Sequence, residues 1–266
     1  MNYIYNVEMF ACKCIIEIHM NGLCVFRIDA TKGSSVTYPL NTELAGDNSL
    51  KLVMYPVLLE TGILSTPADI VVEGAIKRYN TGDVTGPECG DLLMSIDIED
   101  IQAAFDPEAL SLQQLKDLFP LTKTFAFENE GISFKNRLID AQIITDKKEV
   151  VEYAIKLRDI IKRQDLESLY IEYRPKLDDY ALAYPEEFPD PESWFANLFR
   201  DDFFPGGPIV EFDRDDIVAR PWCDGRIWEV SRKPYQPFFM NKGLDGDINM
   251  IELYVGRVDG KLKIIR

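Results

Sequence analysis

The chain has a single histidine, His19, among 266 residues, and that scarcity removes most histidine-based chemistry. His19 lies beside Asn21-Gly22 with no nucleophile or ligand cluster near it in sequence, which predicts a surface or sheet-edge role. The five cysteines, Cys12, Cys14, Cys24, Cys89 and Cys223, include no Cys-x-x-Cys pair, which argues against both a disulfide framework and a zinc site. Cys12 and Cys14 are spaced to share one face of a strand, where packing is the expected role. Gly206-Gly207 lacks a following Lys-Ser/Thr and is no phosphate cradle. Asp213, Asp215 and Asp216, like Asp245 and Asp247, want further ligands at calcium-loop spacing. No cofactor and no metal is expected. No window reaches about 18 uninterrupted apolar residues. Residues 1–10 carry no basic segment, and Glu8 and Lys13 break the apolar run before a signal core forms, so a cytoplasmic location is expected.

Positive charge is also short. Forty-five acids face 29 bases, a formal net charge of -16; residues 1–144 hold 20 acids and 10 bases, residues 145–266 hold 25 and 19. A field of that sign repels phosphate backbones and anionic headgroups, which disfavours nucleic-acid and membrane roles and attracts a basic protein partner.

What is present is enough apolar surface for two cores, 46% hydrophobic and 11% aromatic residues in a chain long for one domain. Residues 12–28 alternate about Asn21-Gly22, a hairpin whose type I′ turn needs positive φ twice. Further strands are expected at 36–40, 50–58, 70–79, 92–98, 125–127 and 134–144, with a short helix over 106–118 opened by Asp106-Pro107. This predicts an antiparallel β-sandwich over 1–144. The step Pro39-Leu40-Asn41-Thr42-Glu43-Leu44, then Gly46, Asn48, Leu50, Leu52 and Tyr55-Pro56, resembles the strand-turn-strand of jelly-roll modules. That resemblance implies carbohydrate binding as one alternative, with Tyr38, Tyr55 and Tyr79 as stacking candidates.

At Asp146 the period changes. Asp146 with Glu149 reads as a capping box, followed by Val150, Ala154, Leu157 and Ile161 at helical spacing. A second helix starts near Asp165, with Pro175 expected to kink or restart it, and Asp190-Pro191-Glu192 opens a third through Phe199. Strands follow at 209–212, 217–222, 226–232, 237–240, 248–257 and 261–265, with Asp224-Gly225 and Asp259-Gly260 at hairpin turns. The fold class is therefore α+β, a β-sandwich domain (1–144) followed by helices on a curved antiparallel sheet (145–266). The element order of the second domain resembles the nuclear transport factor 2-like, ketosteroid-isomerase-like cone. That resemblance implies a pocket for a small molecule or for acid-base chemistry, for which Asp179, Tyr180, Asp216, Asp224 and Tyr235 are available, and pairing through the sheet as a homodimer.

No spacing singles out a catalytic set, so binding is the expected role. Tyr173, Arg174, Tyr180, Trp194, Arg220, Trp222, Trp228 and Tyr235 are the residue types that dominate protein interfaces. The two-domain layout resembles bacterial proteins of which some are similar to immunity proteins, which neutralise a toxic enzyme domain by binding it.

Overall fold

Asn21 and Gly22 both take positive φ, 52° and 87°, and the expected hairpin forms around them. Ser49 N–H donates to the Asn21 side chain (3.0 Å), whose Nδ2 donates to Glu43 O (2.7 Å), so the turn is locked from a neighbouring strand. The structure, a computed structural model, describes residues 3–83, 85, 86, 88–105, 112–233, 236–243 and 247–266. Among them no helix is long and apolar enough to cross a membrane. The protein is a mixed α+β chain that divides into two units, Met1–Ser133 and Phe134–Arg266.

The first unit holds β1 (Tyr3–Cys12), β2 (Cys14–Met20), β3 (Leu23–Ala30), β4 (Ser34–Pro39), β5 (Asp47–Pro56), β6 (Val71–Asn80), β7 (Asp91–Asp97), short helices α1 (Glu99–Ala103) and α2 (Leu112–Leu118), and β8 (Leu121–Glu128). Two four-stranded antiparallel sheets result, ordered β4-β1-β6-β7 and β3-β2-β5-β8. The chain changes sheet at Lys13, whose φ of 59° breaks the strand between Cys12 and Cys14. The two cysteines therefore belong to different strands, a correction to their expected common face. Tyr5, Val7 and Met9 from β1, Ile16, Ile18 and Met20 from β2, and Leu50 and Leu52 from β5 meet in one buried cluster, because alternate residues of each strand point the same way. The start of the helix expected over 106–118 lies outside the described residues.

In the second unit, α3 (Lys135–Leu138) replaces the strand expected at 134–144. Phe134 and Leu138, four apart, are both buried while Asp140 and Gln142 are exposed, and the Arg137 and Leu138 amides bond Phe134 O in a helical turn. Ile144 joins the second core, which puts the division after Ser133 and not at Thr145. Then come α4 (Lys147–Lys162), α5 (Leu166–Ala183), α6 (Pro191–Ala196) and a π-helical turn, Asn197–Phe203. Asp146 caps α4 by accepting from Lys148 N (2.8 Å), but the expected capping box is incomplete because Glu149 pairs with Arg257.

Pro175 does not interrupt α5. A proline removes the N–H owed to the carbonyl four residues back; that carbonyl, Ile171 O, accepts from Lys263 Nζ (3.0 Å) instead. Lys263 sits on the last of seven strands, β9 (Ile217–Trp222), β10 (Ile227–Arg232), β11 (Gln236–Pro237), β12 (Phe239–Lys242), β13 (Ile248–Ile251), β14 (Leu253–Val258) and β15 (Lys261–Ile264), which are antiparallel but not paired in simple chain order. β10 pairs with β9 on one side and with β11 and β14 on the other, β14 pairs with β15, and β12 with β13 form a separate ribbon. Residues 209–212 form no strand, although Val210 N reaches Met240 O (2.8 Å). The buried Arg232 holds that segment by donating to Val210 O (3.3 Å) and Pro237 O (3.2 Å). The apolar stripe of α4 packs on β9 and β10, and α5 packs on β15.

Candidate functional site

Phe195, Phe199 and Phe203 recur every four residues and stack in the core, with ring centroids 4.9 and 5.8 Å apart. Keeping all three inside carries α6 into the π-helical turn, a geometry that frequently marks functional sites. Asp201 and Asp202 remain exposed on that turn and Leu198 half-exposed. Facing them is the β12–β13 ribbon, tied to the turn by Asn241 Nδ2, which donates to Phe203 O (2.5 Å) and Gly207 O (3.2 Å). Between the two lies a cleft of about 390 Å³. Asp201, Asp202 and Asp247 supply carboxylates; Leu198, Met250 and Ile251 supply apolar wall. Met250 is 59% exposed and Ile248, two residues before it, 57%. Asp201 pairs with Arg200 (2.9 Å).

Residues 177–199 near the cleft contain six acids and no base, five of the acids exposed and Asp179 buried, and a chain of rings runs through them, Tyr184 buried and the others half-buried: Tyr180 to Phe188 (5.5 Å), Tyr184 to Phe188 (6.4 Å) and Phe188 to Trp194 (5.1 Å). Such rings add contact area at little entropic cost.

The interface residues expected from the sequence separate into three groups. Tyr173 (1% exposed) and Trp228 (7%) are core residues that present no binding surface: Tyr173 stacks on Phe195 and Phe199, and Trp228 Nε1 donates to Ile144 O (3.3 Å) and Gly225 O (3.2 Å). Tyr180 and Trp194 lie in the acidic ring chain, while Arg174 on α5 is exposed and near Asp178 (3.8 Å). Arg220 and Trp222 form their own set on β9, where the Trp222 indole donates to Glu229 (3.0 Å) and Arg220 lies over its ring. Tyr235 falls outside the described residues.

The acids available for proton transfer do not converge. Asp179 is buried between Arg266 (3.0 Å) and Arg137 (3.3 Å), Asp216 accepts from Asp213 N (2.9 Å), and Asp224 pairs with Arg226 (3.3 Å) in its turn. Glu172 is a buried carboxylate the sequence reading passed over. Burial pushes its pKa up, but hydrogen bonds from Lys156 (2.7 Å), Tyr153 (2.8 Å) and Lys263 (3.1 Å) outweigh that and hold it below the ordinary glutamate range. A carboxylate so held is a weak base. The same arrangement, with burial foremost, drives the Tyr153 hydroxyl well above 10. Tyr79 is also buried, so it offers no stacking platform; Tyr38 and Tyr55 are half-buried, Tyr38 against Phe26 (5.2 Å).

No protein-family model, curated protein or solved structure matches this chain. The site is accordingly defined by its own chemistry.

In the first unit, Glu17, His19 and Cys24 bring a carboxylate oxygen, an imidazole nitrogen and a thiol within 4.8 Å of one another. The two-residue turn sets His19 opposite Cys24, and a β-bulge after Ile18 then sets Glu17 opposite Arg27. Cys24 and Arg27 are an odd number of residues apart, so without the bulge they would face opposite sides of the sheet. Glu17 accepts from Arg27 Nε (2.8 Å) and meets His19 Nε2 at 3.1 Å. Burial pulls the His19 pKa down, more than Glu17 raises it. None of the five cysteines is in a disulfide, and burial lifts the Cys14 and Cys223 thiols to about 12.

Proposed function

We propose that this protein is a binding module without chemistry of its own, whose second unit grips a basic segment of a partner protein. The observation that carries the reading is the cleft between the π-helical turn and the β12–β13 ribbon. A lysine or arginine has an aliphatic stem and a cationic head; Leu198 and Met250 suit the first, and Asp201, Asp202 and Asp247 suit the second. The five exposed acids of residues 177–199, Asp178, Glu186, Glu187, Asp190 and Glu192, extend the same preference over a wider surface.

Neutralisation of a toxic enzyme domain, as immunity proteins perform it, is the setting we propose for this binding. The fold readings belong to the same proposal. Two antiparallel sheets over one core support the jelly-roll reading of the first unit. Helices packed on an antiparallel sheet support the cone reading of the second unit.

The test is co-expression with the product of the adjacent open reading frame, followed by affinity capture and titration calorimetry. A complex that weakens with added salt and is lost in the Asp202→Asn/Asp247→Asn double variant is expected. Absence of a complex removes the toxin setting, and a complex indifferent to both carboxylates removes the cleft.

A further inference from the structure

The Glu17, His19 and Cys24 cluster is independent of the proposed binding cleft and combines three unlike ligand types on two adjacent strands. We infer that it is a site for a borderline-soft divalent cation of the zinc class, held by Glu17 Oε2, His19 Nε2 and Cys24 Sγ with one position left for water or a ligand.

Three features carry this. First, thiolate, imidazole and carboxylate together suit zinc, whereas magnesium and calcium take oxygen donors. Second, the spacing is close. Zinc bonds of about 2.0–2.3 Å put tetrahedral ligand atoms about 3.3–3.6 Å apart; His19 Nε2 and Glu17 Oε2 stand at 3.1 Å, and all three donors lie within 4.8 Å. Small side-chain rotations close the difference. Third, the backbone is arranged for convergence. The bulge after Ile18 brings Cys24 and Arg27 to the face that carries His19 and Glu17, and bulges recur where a side chain must be re-aimed beside a site. Arg27 fixes Glu17 through its other oxygen, leaving Oε2 directed at the imidazole, as a supporting residue does for a ligating carboxylate.

Protons balance simply. The Cys24 thiol gives its proton to solvent on binding, and His19 adopts its Nδ1–H tautomer so that Nε2 carries the lone pair. Arg27 and Lys51, the latter paired with His19 across β5, are cations that face the cluster and oppose a metal's charge.

The experiment titrates the full reduced chain with cobalt(II), then displaces it with zinc. A thiolate-to-cobalt charge-transfer band that saturates at one metal per chain, is lost in Cys24→Ser and is quenched by zinc is expected. His19→Gln should weaken binding by more than about 10-fold, the loss that even supporting residues typically cause. Because the four other cysteines remain in Cys24→Ser, a band that persists there overturns the assignment, as does no band in the wild type. Should Cys24→Ser fold poorly, thermal unfolding with zinc decides. A rise in the wild-type midpoint with zinc that is missing in folded His19→Gln supports the site, and equal rises, or none, refute it.

Discussion

The bond between Lys263 and Ile171 O predicts a measurable coupling between a strand and a proline four residues past the carbonyl it serves. Lys263→Met removes two interactions, the one to Ile171 O (3.0 Å) and the one to Glu172 (3.1 Å). In a Pro175→Ala background the backbone N–H restored at that position serves Ile171 O, so Lys263→Met leaves no orphan carbonyl and costs only the Glu172 contact. Charge-assisted hydrogen bonds contribute about 1.5–3 kcal/mol when buried. Ile171 is an exposed residue of α5, so water competes and the coupling should come to about 1 kcal/mol. For a unit of this size that corresponds to about 3–6 °C in Tm. All three tryptophans, Trp194, Trp222 and Trp228, lie in this unit, so fluorescence-detected urea unfolding of the four proteins reads it selectively. If the two single costs add to within about 0.5 kcal/mol, the residues are independent and the account of the uninterrupted helix is wrong.

Three further outcomes are expected. Glu172 has a depressed folded pKa, so its stabilisation is complete above the unfolded value of 4.5 and disappears as pH falls through the folded one; Glu172→Gln should flatten the acid limb of a stability-against-pH curve, and an unchanged limb would count against the ion cluster. Gly206→Ala places a Cβ 2.5 Å from Lys242 O and should cost about 1–3 kcal/mol by calorimetry, with loss of binding through a distorted cleft. Trp228→Phe deletes the donor to Ile144 O and Gly225 O and should cost about 1–2 kcal/mol without altering partner affinity, since the indole is buried.

Local chemistry was the legible part of this fold. Asn21-Gly22 and Asp259-Gly260 announce left-handed turns, and Asp146, Asp165 and Asp190 each cap a helix as their positions imply. What escaped was decided by partners distant in sequence. Pro175 reads as a break until Lys263, far along the chain, is known to serve Ile171 O, the carbonyl that the proline leaves without a donor. Residues 134–144 alternate loosely enough to suggest a strand, yet the pair Phe134 and Leu138 takes a helical period once a second core is there to receive it. Aromatic identity could not separate Tyr173, buried in the stack, from Tyr180, half-buried against Tyr184 and Phe188, because both lie on α5. The acidic cleft had a faint signal, Asp201-Asp202 directly after an every-fourth phenylalanine pattern, but its facing ribbon is visible only in three dimensions. The Glu17, His19 and Cys24 cluster was nearer to hand. Counting outward from the Asn21-Gly22 turn sets His19 against Cys24, and only the bulge was hidden.

The break at Lys13 gives the first unit a mechanical character. One hairpin, bent over at mid-length, contributes β2 and β3 to one sheet and β1 and β4 to the other. Neither layer owns all of its own threads, so pulling one apart must fray its neighbour. Amide exchange across the eight strands should accordingly collapse as a single step, with no layer outlasting the other.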